Sequence, residues 1–185
     1  MKTLNSTLLL VFLLFISFVV QANIQKKKEI KMQACAEVDS VIYQQKWVLE
    51  ANQVIRGSAR NEHVSDHINF ISLNGNKVVI QIGSCVGLDP VYGQSIINDF
   101  ETNNVGGMTI EGEVTKYKVK KLKNDNYIVY IHLNSILGAF EIRLDCNKRG
   151  VNAIATIRGN SMVKLQYIGD INKYSNSTTY TGRAF

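Results

Sequence analysis

Apolar residues follow two different spacings along this chain, and the change of spacing divides it. Between residues 29 and 45 they recur at a helical period among charged and amide side chains. These positions are Ile30, Ala34, Val38, Val41 and Ile42. From Trp47 onward the spacing becomes two, which is typical of a strand with two different faces. The sequence therefore predicts one amphipathic helix over about residues 29–45, followed by strands.

Further strand-like segments follow the one that begins at Trp47. They cover residues 69–73, 77–83, 108–113, 115–122, 127–133, 139–145, 151–157 and 162–168. Asn74-Gly75-Asn76 joins the first two of these segments, and this is a strong hairpin signal because Asn and Gly tolerate positive φ. Short polar turns separate nearly all the others. We expect a mainly β domain, an antiparallel meander forming a β-sandwich or open barrel, with one N-terminal amphipathic helix.

The N-terminal apolar run predicts export. It covers residues 8–20, which is about 13 residues where a membrane-spanning helix needs about 20. Val20 and Ala22 fit a cleavage site. We expect a signal peptide at residues 1–22, with an uncleaved anchor as the alternative. A single domain at residues 23–171 and a polar, disordered tail at residues 172–185 would follow.

The first cysteine, Cys35, is too far from the predicted cleavage site for lipid attachment. The expected product is periplasmic or extracellular, with no lipid anchor and no transmembrane segment after cleavage. The formal net charge of +6 permits a polyanionic partner without requiring one. Its densest basic segment holds Lys116, Lys118 and Lys120 at alternate positions. That alternation favours a solvated strand face, and we expect no nucleic-acid binding.

The three cysteines allow one internal disulfide, and the sequence leaves all three pairings open. Cys146 extends the apolar series of residues 140, 142 and 144, which favours a buried free thiol. Cys35 and Cys85 are then the candidate disulfide.

Two polar segments, residues 56–66 and 84–106, should meet at the same end of the first hairpin. Binding residues concentrate in such loops, so this end is the candidate site. The candidate ligand-binding residues are Arg56, Arg60, Asp89, Tyr92 and Gln94. The alternative is that both segments are ordinary solvated loops. No cofactor is expected.

His63 and His67 are candidate metal ligands because they stand four residues apart, a spacing that places two imidazoles on one face of a helical turn. The segment lacks a helical apolar period. It also lacks the glutamate that hydrolytic zinc motifs place after the first histidine. His132 lies within a strand pattern and fits a structural histidine.

The order of elements resembles the exported bacterial domain-of-unknown-function family 4251, found mainly in Bacteroidota. The resemblance rests on residues 70–79, on Pro90-Val91-Tyr92-Gly93-Gln94, and on residues 106–110, 114–119 and 165–169. It spans about residues 29–170 and implies an extracytoplasmic location, with no catalytic residues to carry over. Members usually have a basic residue where this chain has Gln94, so a role for charge there does not carry over.

The sequence favours a non-enzymatic binding or interaction module over an enzyme. Its partner would be a small ligand, a glycan or an envelope protein. The alternative is a metal-assisted hydrolase that uses the 56–67 and 84–106 loops.

Overall fold

The computed structural model of this chain describes residues 2–58, 60–83, 107–159 and 162–179. The chain forms two compact units, Met1–Ala36 and Glu37–Phe185. Helix α1 (Lys2–Gln44) provides the first unit and the first residues of the second, and it includes nearly all of the helix predicted at about residues 29–45. No helical segment in the described ranges combines the length and hydropathy needed to span a bilayer.

All the strands belong to the second unit. In chain order they are β1 (Lys46–Arg56), β2 (Glu62–His63), β3 (Phe70–Asn74), β4 (Lys77–Gly83), β5 (Gly107–Lys121), β6 (Tyr127–Ser135), β7 (Gly138–Cys146), β8 (Ala153–Gly159) and β9 (Met162–Lys173). From β3 to β9 each strand pairs antiparallel with the next, as expected for a meander.

The first and last long strands pair with each other and close the sheet. β1 lies antiparallel to β9 from Trp47, opposite Lys173, to Arg56, opposite Leu165. β1 also pairs with β3, so the eight longer strands form a closed antiparallel barrel to which β2 adds a short pairing. The prediction of a β-sandwich or open barrel is therefore wrong. The closing pair joins opposite ends of the domain, and local periodicity carries no information about it.

A second difference concerns β5, which the sequence pattern divides into two strands at residues 108–113 and 115–122. The structure has one strand with a bulge between Val114 and Lys116. An extra residue in one strand reverses the in-out alternation after it. In the sequence this reversal looks like the end of one strand and the start of another.

The inward side chains of the eight strands form one core. Trp47 and Tyr167 are its largest members, and both are completely buried. The interior of an eight-stranded barrel is just wide enough for side chains to fill. The Tyr167 hydroxyl donates a hydrogen bond to the carbonyl oxygen of Gln81 at 2.8 Å, which satisfies a polar group in this apolar interior.

The last turns of α1 complete the core at the end of the barrel where β1 begins. Val38, Val41 and Ile42 are buried in the same cluster. The Tyr117 hydroxyl donates to the carbonyl oxygen of Ile42 at 2.7 Å and accepts from Trp47 Nε1 at 3.3 Å. Burial raises the pKa of Tyr117 to about 12, so this hydroxyl stays protonated and holds the helix end to the barrel.

The C-terminal segment continues past the predicted domain boundary. β9 runs to Lys173, and the side chains of Asn172 and Ser177 both donate to the carboxylate of Glu50, at 2.6 and 2.7 Å. These two hydrogen bonds hold the residues on either side of the end of β9 to β1.

Gly169 is the tightest point of the closing seam. A Cβ placed there would lie 1.9 Å from the carbonyl oxygen of Glu50 and 2.8 Å from the Cα of Ala51. Because both contacts are backbone, Gly169→Ala should destabilise the fold by about 3 kcal/mol, as overpacking does. The thermal midpoint should fall by roughly 6–12 °C. Glu111→Ala, on the exposed outer side of β5, is the control and should change the midpoint little. Equal midpoints for the two variants would contradict this account of the seam.

Asp39 on α1 gives the fold an acid-sensitive contact. Its carboxylate accepts from the Tyr127 hydroxyl at 2.5 Å and from Lys121 Nζ at 3.1 Å, and these bonds hold its pKa below the usual 3.8. A carboxyl whose pKa is depressed by folding contributes stability above its unfolded pKa and loses it as the pH falls through the folded pKa. Asp39→Asn should therefore be less stable than wild type near neutral pH, and the difference should shrink below pH 3.8.

Urea unfolding at about pH 7, 5 and 3 measures this difference. Glu37→Gln, an exposed change on the same helix, is the matched control. A constant gap between wild type and the Asp39 variant across that range would rule out the carboxylate as its source.

Candidate functional site

The loop end predicted as a site lies partly within the described residues. Arg56 ends β1, and its Nη2 lies 3.2 Å from Glu62 Oε1, so its charge is compensated locally. Arg60 is exposed, and Asn61 next to it donates to Gln53 at 2.5 Å. These contacts tie the predicted loop back to β1. The other candidates, Asp89, Tyr92 and Gln94, lie outside the described residues, so their convergence with Arg56 and Arg60 stays a prediction.

The two candidate metal ligands occupy different kinds of backbone. His63 is exposed on β2, opposite Gln53, whereas His67 is exposed in the turn that follows, with Nε2 4.0 Å from Asp66 Oδ1. This segment has no helical turn, which agrees with its lack of a helical apolar period in the sequence. Among the described residues, no group of three His, Cys, Asp or Glu side chains could hold a metal ion.

The described cysteines differ in environment. Cys146 is buried in the core, as the sequence predicts, and burial raises the pKa of its thiol to about 12. Such a thiol is almost entirely protonated at neutral pH and is a poor nucleophile. Cys35 is half-buried on α1, and Cys85 lies outside the described residues. The Cys35–Cys85 disulfide stays a prediction.

A groove runs along the outer side of β6 to β9. Its volume is about 450 Å³, within the range of small-molecule sites. We call it the polar groove. Its lining comprises Tyr130, Ile131, His132, Glu141, Ile142, Arg143, Asp145, Thr156, Arg158, Lys164 and Gln166.

The strand register orders this outer surface into rows that cross the strands. One row contains Ile128, Asp145, Ile154 and Ile168. The middle row contains Tyr130, Arg143, Thr156 and Gln166. The third contains His132, Glu141 and Arg158, with Lys164 next to Arg158 where the pairing of β8 and β9 is irregular. The first row is therefore mainly apolar, with Asp145 as its one carboxylate. Arg158 and Lys164 make the opposite end of the groove basic, and we call it the basic end.

Ion pairs and hydrogen bonds fix the positions of several side chains in the groove. Arg143 Nη2 lies 2.8 Å from Asp145 Oδ1, and that hydrogen bond raises the pKa of the guanidinium. His132 Nδ1 lies 3.3 Å from Glu141 Oε1. Gln166 Nε2 donates to Thr156 Oγ1 at 3.1 Å. These contacts hold donors and acceptors in fixed places, although all remain accessible from the groove.

The basic end is different, because its cations have no such partners. Arg158 and Lys164 are both exposed, and among the described residues neither lies within 4 Å of a carboxylate; Glu141 is opposite Arg158 in the register but pairs with His132. Exposed Tyr130 provides an aromatic surface in the next row. An open groove with two unpaired cations, one aromatic ring and ordered hydrogen-bonding groups suits a polar ligand that carries negative charge.

Comparison with protein-family models identifies the family of this domain. A family model described as a domain of unknown function, DUF4251, matches residues 28–171, which is most of the chain. The chain belongs to the DUF4251 family. The resemblance predicted from the sequence is confirmed, and no curated protein matches the chain.

A solved structure shows the same fold. It is the crystal structure of a DUF4251 family protein from Bacteroides eggerthii, with a TM-score of 0.59 and 24% sequence identity. The similarity covers 78% of this chain and 90% of that one. Its source agrees with the predicted link to Bacteroidota.

The site residues predicted from the sequence of this DUF4251 domain lie in loops, and the sequence analysis did not predict the polar groove on the strands. The alternation of Phe140, Ile142 and Leu144 does imply that Glu141 and Arg143 point outward. What the sequence lacks is the register that sets these residues beside particular side chains on β6 and β8. His132, predicted as structural, lies in this groove and pairs with Glu141.

Proposed function

We propose that this DUF4251 domain is an exported, non-enzymatic binding module whose polar groove binds a carboxylate-bearing saccharide. The observation that carries the proposal is the pair of unpartnered cations, Arg158 and Lys164, at one end of a groove with ordered polar groups. Arginine binds carboxylates through two parallel hydrogen bonds, and lysine adds a point charge.

The rest of the groove supports a saccharide over a simple anion. Asp145 and Glu141 can accept hydrogen bonds from hydroxyl groups, and Gln166 can both donate and accept. The exposed ring of Tyr130 offers an apolar surface to the face of a sugar ring. Carboxylates in the groove would repel a ligand that carried only negative charge. A ligand with many hydroxyls and a few carboxylates satisfies both kinds of group.

The exported location supports this ligand class, because polysaccharides are abundant outside the cytoplasm. The predicted signal peptide at residues 1–22 is the basis for that location. The groove lies on paired strands of a closed barrel, and rigid elements position binding groups more precisely than loops do. We therefore assign binding to this face in preference to the loop end predicted from the sequence.

Isothermal titration calorimetry with trigalacturonate and with the neutral trisaccharide maltotriose tests the proposal. Trigalacturonate should bind at least tenfold more tightly. Arg158→Ala/Lys164→Ala should weaken it by about tenfold or more, since a hydrogen bond to a charged group contributes about 1.5–3 kcal/mol. The double variant should fold normally because both side chains are exposed.

The matched control is Lys46→Ala/Arg149→Ala, which removes the same charge from β1 and from the turn before β8. It should leave trigalacturonate binding unchanged. Equal binding of the acidic and neutral trisaccharides, or equal losses in the two double variants, would overturn the proposed function.

A further inference from the structure

A row of lysines on β5 borders the polar groove. Lys116, Lys118 and Lys120 point to the outer side of the barrel, opposite His132, Tyr130 and Ile128 on β6. All three lysines are exposed, and among the described residues none lies within 4 Å of a carboxylate. We call them the lysine row. Each of the three rows that cross β6 to β9 therefore continues onto β5 and ends in a cation.

The combined surface carries an excess of positive charge. Across β5 to β9 the rows contain six cations and two carboxylates. These are Lys116, Lys118, Lys120, Arg143, Arg158 and Lys164, with Glu141 and Asp145. These three rows therefore have a net charge of +4, six cations less two carboxylates, in a chain whose formal net charge is +6. Such a concentration creates a local field that attracts polyanions.

The dimensions of the surface exceed those of a short ligand. β5 and β9 are four strands apart in the eight-stranded barrel, so the surface follows about half of the barrel's circumference, about 19 Å along the sheet at roughly 4.8 Å per strand. Lys116 and Lys120 are separated by about 13 Å along the strand, at roughly 3.3 Å per residue. A ligand seated in the groove beside Arg158 would leave the lysine row unoccupied unless it extended across β6.

We propose that the lysine row and the polar groove form one continuous surface that binds a linear acidic polysaccharide across β5 to β9. This inference rests on the proposed function, because the groove supplies the specific end of the surface. The lysine row adds affinity for the charges farther along the chain. Two linked contacts of this kind strengthen each other through effective concentration.

Charge and shape favour a polysaccharide over other polyanions. Binding of single-stranded nucleic acid relies on several aromatic side chains that stack on successive bases, whereas Tyr130 is the single aromatic residue in these rows. An anionic membrane is flat at this scale, so it would contact the rims of the groove and leave Glu141 and Asp145 unused. A chain of sugars can enter the groove and present hydroxyls to those carboxylates.

The test compares trigalacturonate with decagalacturonate on the same protein by calorimetry. The decamer should bind at least tenfold more tightly than the trimer. Neutralising the lysine row with Lys116→Gln/Lys118→Gln/Lys120→Gln should reduce decamer affinity to the level of the trimer, and trimer affinity should change by less than twofold. The matched control, Lys46→Gln/Lys77→Gln/Lys173→Gln, should leave both affinities unchanged.

Failure of the continuous surface and failure of the proposed function would give different results. If the decamer binds no more tightly than the trimer, or if the lysine-row variant weakens both alike, the continuous surface is overturned while the proposed function stands. If the trimer fails to bind, both are overturned. Tighter binding of phosphatidylglycerol vesicles, or of a ten-nucleotide single-stranded DNA, than of decagalacturonate would overturn the polysaccharide as the occupant.

Discussion

The pairing of β1 with β9 is the constraint on which the rest of this structure depends. A closed sheet needs every inward side chain to fit a single interior, and no strand can be added or removed without changing that interior. The seam tolerates this only because Gly169 lets two backbones approach at the irregularity between Ala51 and Gln53. A side chain at Gly169 would separate the strands and expose the core that lines the barrel.

Closure also decides which side of the strands presents polar side chains. The interior is occupied by core side chains such as Trp47 and Tyr167, and the end of α1 packs over the barrel where β1 begins. Most polar side chains of the described strands therefore lie on the outer side of the barrel. Because the register of successive hairpins is fixed, side chains distant in sequence, such as Tyr130 and Gln166, occupy the same row. The closed sheet thus fixes which outward-facing residues lie beside one another.

Local patterns predicted the elements better than their assembly. The helix at about residues 29–45 and the hairpin at Asn74-Gly75-Asn76 follow from periodicity and turn chemistry, and the structure has both. The closed barrel could not be predicted in this way, since the β1–β9 pairing is the least local contact in the sheet. The bulge at Thr115 was misread for a related reason, because alternation alone cannot distinguish an inserted residue from a strand end.

For the candidate groove too, local patterns indicate which residues face outward but not which of them are neighbours. Alternation indicates which residues of β7 and β8 face outward, yet it cannot say that Arg158 lies beside Lys164, which depends on an irregularity in the β8–β9 register. The loop residues Arg56 and Glu62 satisfy each other, an outcome that depends on β2 pairing with β1. The charge of Arg56 is therefore compensated at the loop end predicted from the sequence, whereas Arg60 is exposed and has no ion pair among the described residues.

Electrostatics explains why the basic end of the groove differs from its middle. Arg143 and Asp145 lie two residues apart on one strand, so they share a face and pair without help from elsewhere in the fold. Arg158 and Lys164 follow no such rule, and like charges held side by side repel at distances below the Debye length of about 8 Å. Because no ion pair among the described residues neutralises either cation, the positive potential at this end of the groove exceeds that in its middle, where Arg143 and Asp145 compensate each other.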